Sequence, residues 1–353
     1  MARPVFHQLP GAAVDRLCDD AVAVTFAVPD ELRETFAFRA GQYLTVRIDA
    51  DGVDERRSYS ICAPAGAAPR IGVRRVDGGL FSTRLVDVIR SGDILEVLPP
   101  LGSFSPPPGP LHHGFVAAGS GITPVLSIAS TVLAEDPASR VTLLYGNRRT
   151  DTVMFAEDIA DLKNSYPSRL HLVHVLSREP GEVELFSGRL DADRLRALFD
   201  TVIPVSDVDH WWVCGPYGLV TDAEKVLAER GVPAERVHHE LFYVDEPPPE
   251  LVRADERIVD GPTVDVTIRL DGRETTVALP TGVPVLDAAQ RVRADLPFAC
   301  KGGVCGTCRA RVVEGAVAMR RNYALEQHEL DAGFVLTCQS LPSTPTLTLD
   351  FDA

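Results

Sequence analysis

The sequence predicts three domains, in the order antiparallel β-barrel, α/β domain with a parallel sheet, and small α+β module. Two proline-rich stretches divide the chain, SPPPGP at 105–110 and the charged stretch DEPPPELVRADERIVDGP at 245–262. The length of 353 residues also favours several domains, because one domain usually holds roughly 100 to 200 residues. We therefore expect three domains and a linker, at 1–106, 107–245, 246–262 (the linker) and 263–353.

The first domain is predicted to consist mostly of strands. Its β-rich runs are AVAVTFAVP at 21–29, GQYLTVRI at 41–48 and RIGVRRV at 70–76. Glycine, proline and aspartate bound these runs, as they commonly bound strands. Short strands separated by turn residues predict the antiparallel barrel.

The second domain alternates strands with helical runs. Its strand candidates are GFVAAG at 114–119, VTLLYGN at 141–147, LHLVHVLS at 170–177 and HWWVCG at 210–215. Such alternation is typical of a parallel sheet, whose strands are joined by crossover helices.

The third domain opens with VDVTIRLDGRETTVALP at 264–280. Two alternating runs flank Asp271-Gly272, which is a strong signal for a β-hairpin. VLDAAQRVRA at 285–294 has helical periodicity, and a cysteine-rich loop follows it. These features predict a small α+β module.

Composition and charge exclude several classes of protein. The net charge of −15 argues against nucleic-acid binding, which uses basic surfaces. No apolar run reaches the length of about 18 residues that predicts a membrane span. The first ten residues, MARPVFHQLP, lack the apolar core of a signal peptide. We therefore expect a cytoplasmic protein that does not bind membranes.

Four cysteines of the third domain have the spacing Cys300-x4-Cys305-x2-Cys308-x29-Cys338. Disulfides are disfavoured in the cytoplasm, zinc sites usually take two short cysteine pairs, and a redox CxxC pair would leave two of the cysteines without a role. A plant-type [2Fe–2S] cluster uses all four at this spacing. The glycines within 302–306 let the backbone wrap the cluster and aim N–H groups at its sulfurs. We predict cluster ligation, with zinc or another structural use as the alternative.

Two motifs of the first domain carry a family resemblance. Arg57-Ser58-Tyr59-Ser60 has the pattern Arg-x-Tyr-Ser, and a glycine turn at 78–79 precedes a predicted helix. The N-termini of helices bind phosphate through free N–H groups. Together these motifs resemble the ferredoxin–NADP reductase superfamily.

This resemblance implies an FAD site. It assigns Arg57 to the flavin phosphates, Tyr59 to stacking on the isoalloxazine and Ser60 to a hydrogen bond near flavin N5. It assigns Gly79 and Ser82 to the pyrophosphate.

The resemblance extends to the second domain. GSGITP at 119–124 lies between a strand and a helix, where glycines let a pyrophosphate approach the helix terminus. This implies contacts of the nicotinamide cofactor with Gly119, Gly121 and Thr123.

The carboxyl ends of the later strands supply the remaining expected contacts. Cys214, Gly215 and Pro216 correspond to the nicotinamide contacts of the superfamily. Phe242, in a Glu-x-Phe pattern, corresponds to the aromatic that closes over the flavin, although a plain core aromatic is the alternative. The residues expected beside the reacting atoms are Tyr59, Ser60 and Cys214.

Ser177-Arg178, at the end of LHLVHVLS, resembles the Ser-Arg of ferredoxin–NADP reductases that binds the ribose 2′-phosphate. Arg148 is expected to add a second cation. These residues imply NADPH as the donor, although Arg178 as a solvated residue beside Glu179 is the alternative.

The histidines indicate no rival active site. His112 and His113 are expected in a solvated, proline-rich loop, and His238 and His239 are expected to be structural.

The domain order resembles the reductase components of multicomponent oxygenases, which end in a plant-type ferredoxin domain of the β-grasp fold. The stretches 143–163 and 174–191 resemble one subfamily, the reductases of phenylacetyl-CoA epoxidases. The resemblance implies transfer from NADPH through FAD and a [2Fe–2S] cluster to an oxygenase, expected to be a diiron epoxidase. A reductase for a Rieske-type oxygenase, such as a 3-ketosteroid 9α-hydroxylase, is the first alternative. An iron–sulfur redox sensor is the second, and a self-contained flavin hydroxylase would need a further domain.

Overall fold

The computed structural model describes residues 5–50, 53–243, 262–293, 295–325 and 327–353. The linker expected at 246–262 therefore falls, apart from Pro262, outside the described residues.

The first domain is built on a six-stranded sheet in the order β4-β3-β6-β1-β2-β5. Its elements are β1 (His7–Cys18), β2 (Ala21–Phe26), β3 (Tyr43–Ala50), β4 (Val53–Ser60), β5 (Arg70–Arg74), α1 (Leu80–Asp87) and β6 (Ile94–Val97). Strand β1 pairs antiparallel with β2 and β6, and β2 pairs antiparallel with β5. An antiparallel bridge between Ile61, directly after β4, and Ile71 of β5 joins the two edge strands. The strands thus close into the expected barrel.

The second domain has a five-stranded sheet in the order β11-β10-β7-β8-β9. Its elements are β7 (His112–Ala118), α2 (Ile122–Glu135), β8 (Arg140–Asn147), α3 (Ala156–Ser165), β9 (Leu170–Leu176), α4 (Ala192–Thr201), β10 (His210–Pro216), α5 (Tyr217–Glu229) and β11 (Val237–Tyr243). All neighbouring strands are parallel, so their carboxyl ends share one edge of the sheet. The chain order reverses between β7 and β10, and ligands of open α/β sheets bind at such a switch point.

The third domain contains a five-stranded sheet in the order β13-β12-β18-β14-β16 and a two-stranded sheet of β15 and β17. Its elements are β12 (Thr263–Leu270), β13 (Arg273–Pro280), α6 (Val285–Ala289), β14 (Arg309–Glu314), β15 (Val317–Met319), α7 (Gln327–Asp331), β16 (Phe334–Leu336), β17 (Ser340–Pro342) and β18 (Thr346–Asp350). The helix expected over 285–294 is shorter, since α6 ends at Ala289 and residues 290–292 continue as a turn.

By packing, the chain separates into two compact units. Of the described residues, one unit contains 6–46 and 59–243, and the other contains Val5, 47–50, 53–58 and those from 262 onward. Among the described residues, no helix combines the length and hydrophobicity that crossing a bilayer requires.

The expectation that His112 and His113 lie in a solvated loop is wrong. Both belong to β7, and His113 is fully buried. Trp212 Nε1 donates to His113 Nδ1 at 3.2 Å, and the Trp212 ring stacks on His238 with ring centroids 4.2 Å apart. Burial lowers the pKa of both His113 and His238 to about 4. Both imidazoles are therefore neutral near neutral pH, and that of His113 lies in the core.

This burial makes the stability of the protein depend on pH. An unfolded histidine has a pKa of about 6.5, so the unfolded chain takes up the proton first as the pH falls. The contribution of these neutral histidines to the free energy of unfolding is therefore fully present above about pH 6.5 and is lost as the pH falls toward 4. His238→Phe, which keeps a ring against Trp212, should make the pH dependence shallower by up to about 1.4 kcal/mol per pH unit in this window. Urea unfolding between pH 7 and 4.5 measures the slope, and an unchanged slope in the variant would refute the assignment.

Candidate functional site

The four cysteines of the third domain form two pairs of free thiols. A hydrogen bond from Cys305 lowers the pKa of Cys300 to about 7, and a hydrogen bond from Cys308 lowers the pKa of Cys338. One thiol of each pair is thereby favoured as a thiolate, which is the form that binds metal.

The sheet explains how Cys308 and Cys338 meet. Cys308 directly precedes β14, and Cys338 lies between β16 and β17. Strands β14 and β16 pair antiparallel with Arg309 opposite Leu336, so the two cysteines flank the same end of the pair. Thr337 fixes this end, because its amide and its hydroxyl both donate to the Cys308 carbonyl, at 3.2 and 2.9 Å.

Polar hydrogens from the surrounding chain point at two of the sulfurs. The Gly302 amide donates to Cys300 Sγ at 3.4 Å, and Gln339 Nε2 lies 3.6 Å from Cys338 Sγ. Gly303 has a φ of +82°, which favours glycine, and a Cβ there would lie only 3.1 Å from Gln339 Cγ. The glycine therefore lets the loop close against the Gln339 side chain.

This donor set fits a binuclear cluster. Each iron of a [2Fe–2S] cluster takes only two protein ligands, and two thiol pairs with N–H donors beside their sulfurs provide them.

The expected flavin residues lie on β4. Side chains alternate along a strand, so Arg57 and Tyr59 share a face and Ser60 lies on the other. Arg57 Nη1 forms an ion pair at 2.7 Å with the buried Glu55. The Tyr59 ring lies 6.0 Å from the ring of Phe81, centroid to centroid. The strand thus displays a cation and an aromatic ring on one face.

Ser60 has a partner far away in sequence. Its Oγ donates to Glu240 Oε2 of β11 at 3.1 Å, and the Ser60 side chain is buried. Glu240 was not among the predicted site residues, although the Glu-x-Phe pattern that ends at Phe242 contains it. Phe242 is half-buried and packs against the core of the second domain, which leaves both interpretations of this ring open.

The expected pyrophosphate residues lie together at the start of α1. Ser82 Oγ accepts from the Val76 amide at 3.0 Å and donates to the Gly79 carbonyl at 3.3 Å. The Ser82 side chain therefore holds the turn that precedes the helix.

The glycine turn after β7 lies at the switch point of the parallel sheet. A Cβ on Gly121 would lie 2.2 Å from the Cys214 carbonyl oxygen, so only glycine fits this crossing. Gly119 has a φ of +54°, and its carbonyl accepts from the Tyr145 hydroxyl at 2.9 Å. Thr123 Oγ1 donates to the Ser120 carbonyl at 3.0 Å. The turn is rigid, and the carboxyl end of β10 lies against it.

Cys214, Gly215 and Pro216 end β10 beside this turn. Cys214 is fully buried, and burial raises the pKa of its thiol well above the ordinary value. The thiol is therefore protonated near neutral pH and offers no negative charge. Pro216 is exposed and begins α5 as its N-cap.

A cavity lined by three arginines and three aspartates lies at the carboxyl ends of β8 and β9. Its volume is about 440 Å³, and Arg148, Arg149 and Arg178 line it. The Arg178 amide donates to the Arg148 carbonyl at 2.8 Å, so the two strand ends are joined. Within the described residues, the guanidinium groups of Arg148 and Arg178 have no hydrogen-bond or ion-pair partner.

Neighbouring carboxylates offset part of the positive charge of the arginines that line the cavity. Arg149, which was not predicted, is paired with Asp151. The Glu179 carboxylate accepts from the amide and the hydroxyl of Thr150, at 2.7 and 3.0 Å. Asp19 and Asp20 also line the cavity, and Asp20 is paired with Arg74 at 3.2 Å. The guanidinium groups of Arg148 and Arg178 are thus available to bind an anion. The Asp19 carboxylate, which lines the same cavity, would repel that anion.

Three family models match the chain. They describe an oxidoreductase FAD-binding domain over residues 12–105, an oxidoreductase NAD-binding domain over 115–225, and a 2Fe-2S iron-sulfur cluster binding domain over 268–343. The expected fold class and the expected flavin, nicotinamide and iron–sulfur cofactors are confirmed.

Curated relatives match over the whole length. The chain is 43% identical over 353 residues to one of the subunits of the 1,2-phenylacetyl-CoA epoxidase of Escherichia coli K12, covering 99% of this chain and 98% of that protein. It is 37% identical over 344 residues to the ferredoxin reductase component of 3-ketosteroid-9-alpha-monooxygenase from Rhodococcus rhodochrous, covering 94% and 93%.

A solved structure shares the architecture. Phthalate dioxygenase reductase, described as a modular structure for electron transfer from pyridine nucleotides to [2Fe–2S], aligns with a TM-score of 0.62 at 22% identity and 98% coverage of both chains. At this identity the likeness concerns the fold. The roles expected for individual residues stay predictions.

Proposed function

Because this chain belongs to the family of oxygenase reductases that combine FAD-binding, NAD-binding and [2Fe–2S] domains, we propose that it carries electrons from NADPH to the oxygenase of a phenylacetyl-CoA epoxidase. The observation that carries the proposal is the 43% identity to a component of such an epoxidase along 99% of the chain. We further propose the domain boundaries expected above, at 1–106, 107–245 and 263–353.

The bound groups supply the redox chemistry: FAD accepts a hydride from the nicotinamide, and the cluster carries single electrons. The protein contributes binding, orientation and the exclusion of water. In this proposal Arg57 neutralises the flavin phosphates, Tyr59 covers the ring, and Gly79 and Ser82 hold the pyrophosphate beside α1. Arg57 already has the buried Glu55 as a partner, so its guanidinium is held in one orientation.

The buried Ser60 and the half-buried Glu240 form a polar pair that bears on the proposed flavin site. The Ser60 hydroxyl hydrogen is held on Glu240 Oε2 at 3.1 Å, which leaves the oxygen lone pairs of Ser60 free to accept. We propose that this orientation would let Ser60 Oγ accept a hydrogen bond from a donor near the N5 edge of a bound flavin. Glu240 would then act as a positioning residue for Ser60.

NADPH is proposed as the electron donor because Arg148 and Arg178 line the cavity at the carboxyl ends of β8 and β9. The glycine turn at 119–121 and Thr123 would hold the pyrophosphate at the start of α2, and Cys214, Gly215 and Pro216 would face the nicotinamide. Ser177, Arg178 and Arg148 would bind the ribose 2′-phosphate. Guanidinium groups suit phosphate, since they donate paired, charge-assisted hydrogen bonds.

The cluster would be held by Cys300 and Cys305 on one iron and by Cys308 and Cys338 on the other. The N–H donors of Gly302 and Gln339 would stabilise the negative charge on two of the sulfurs. A cytoplasmic location is proposed with it, since a reducing compartment keeps the four cysteines as the thiols that the cluster needs.

The proposed partner is a diiron epoxidase complex. A Rieske-type oxygenase is the second candidate, favoured by the 37% identity to a 3-ketosteroid-9-alpha-monooxygenase reductase. Reconstitution separates them: the protein and NADPH are mixed with the oxygenase subunits of a phenylacetyl-CoA epoxidase, or with a 3-ketosteroid-9-alpha-monooxygenase oxygenase. We expect NADPH-dependent consumption of phenylacetyl-CoA in the first mixture. Product in the steroid mixture alone would overturn the choice of partner.

A further inference from the structure

A buried cation–π contact joins β4 to the loop that precedes the first cluster cysteine. The guanidinium carbon Cζ of Arg56 lies 4.2 Å from the ring centroid of Phe298. Arg56 is 5% exposed and Phe298 is 7% exposed, and both residues belong to the same compact unit. A cation–π contact is strongest when water does not compete for the cation, so burial makes this one a firm link.

The contact joins two segments with different expected roles. Arg56 directly precedes Arg57 on the strand that also carries Tyr59. Phe298 lies two residues before Cys300. The pair thus connects the strand of the expected flavin residues to the loop of the expected cluster ligands, across 242 positions of sequence.

Phe298 is also fixed on the side of the cluster loop. Lys301 Nζ lies 4.8 Å from the same ring centroid and forms an ion pair with Asp287 Oδ1 at 3.0 Å. The Lys301 carbonyl accepts from Gln339 Nε2 at 2.8 Å. A displacement of Phe298 would therefore displace the loop around Cys300, whereas Arg56 supplies the link to β4.

We propose that Arg56 and Phe298 are positioning residues that set the rate of electron transfer from the flavin to the cluster. This inference rests on the electron path of the proposed function. In each transfer one electron leaves the reduced flavin and one reaches the oxidised cluster, and two transfers consume the pair that one hydride delivers. No bond of Arg56 or Phe298 forms or breaks. Their part is to hold the loop in place, because the rate of electron transfer falls as the distance between donor and acceptor grows.

The experiment uses Arg56→Met, Phe298→Leu and the double variant in the complete holoprotein. Rapid mixing with NADPH without oxygen follows flavin bleaching and then cluster reduction. We expect flavin reduction within about twofold of wild type and cluster reduction slowed about tenfold or more in each single variant. The double variant should be no slower than the slower single variant, because both substitutions remove the same interaction.

Two further measurements separate positioning from general damage. Phe298→Tyr, which keeps the aromatic face, should restore the wild-type rate. Phe334→Leu removes a more exposed cation–π contact in the same unit, since Arg309 Cζ lies 4.4 Å from the Phe334 ring, and should not slow cluster reduction. Hydrogen exchange of the peptide 295–300 should be about tenfold faster in Phe298→Leu than in Phe334→Leu.

The possible outcomes separate a failure of the proposed function from a failure of the positioning role alone. A wild-type cluster that NADPH never reduces would overturn the proposed function itself. A wild-type cluster that is reduced, with Arg56→Met and Phe298→Leu equally fast, would overturn only the positioning role. Additive slowing in the double variant, or equal slowing in Phe334→Leu, would overturn it as well.

Discussion

Replacing Cys338 with alanine is expected to abolish the visible absorbance and the electron paramagnetic resonance signal of the cluster. Cys338 is 2% exposed and is hydrogen-bonded to Cys308, so its loss leaves one iron with a single cysteine ligand and opens no path for a replacement. Reduction of cytochrome c by NADPH should be lost, since this acceptor takes electrons from the cluster. Reduction of ferricyanide should persist, since ferricyanide takes electrons from the flavin.

The matched control is Cys18→Ala, which removes a thiol of the barrel that contacts Asp20 and Arg74. It should keep the full cluster signal. Retained FAD in Cys338→Ala would show that the flavin domain is folded, while the third domain should lose thermal stability, because cluster binding and folding are coupled. A normal cluster spectrum in Cys338→Ala would refute the ligand set.

Replacing Arg178 with alanine is expected to raise the Michaelis constant for NADPH about 10- to 100-fold. A hydrogen bond to a charged group contributes about 1.5–3 kcal/mol, and the Arg178 guanidinium lines the cavity without a partner among the described residues. The constant for NADH should change by less than about twofold, since NADH lacks the 2′-phosphate. Steady-state ferricyanide reduction with each nucleotide measures both.

Asp19→Asn is a control that should change the Michaelis constant for NADPH in the opposite direction. Asp19 lines the same cavity and repels phosphate, so its neutralisation should lower the constant for NADPH and leave that for NADH unchanged. Arg178→Lys should recover part of the loss, because it keeps the charge without the paired donors. Equal effects of Arg178→Ala on both nucleotides, or a wild type that prefers NADH, would contradict the assignment of the cavity.

Local sequence patterns predicted much of the fold. Alternation of strands and helices indicated the parallel sheet, and the Asp271-Gly272 turn indicated the hairpin of β12 and β13. The four-cysteine spacing predicted a set of thiols, two of which, Cys308 and Cys338, are brought together by the pairing of β14 and β16. The turn at Gly121 was predicted as a ligand site, and its glycine is required because the Cys214 carbonyl approaches so closely. Each of these predictions was made from a local sequence pattern, even where the structure completes it with a distant contact such as that of Gly121 with Cys214.

Contacts between distant segments were not predictable in this way. Ser60 meets Glu240 across 180 positions, and Arg56 meets Phe298 across 242 positions. Neither pair leaves a period or a turn signal in the sequence, because only the packed structure brings the partners together. The burial of His113 was missed for a related reason, since the preceding prolines suggested a loop and the Trp212 indole that donates to its ring nitrogen comes from β10.

The central claim is that electrons from NADPH pass through the flavin to the cluster. The most direct measurement mixes the holoprotein with NADPH without oxygen, follows flavin absorbance by stopped flow, and freezes samples at intervals for electron paramagnetic resonance of the cluster. The account predicts that flavin absorbance falls first and that the signal of the reduced cluster rises afterwards. A cluster that stays oxidised after the flavin is fully reduced, or one that is reduced before the flavin, would contradict it.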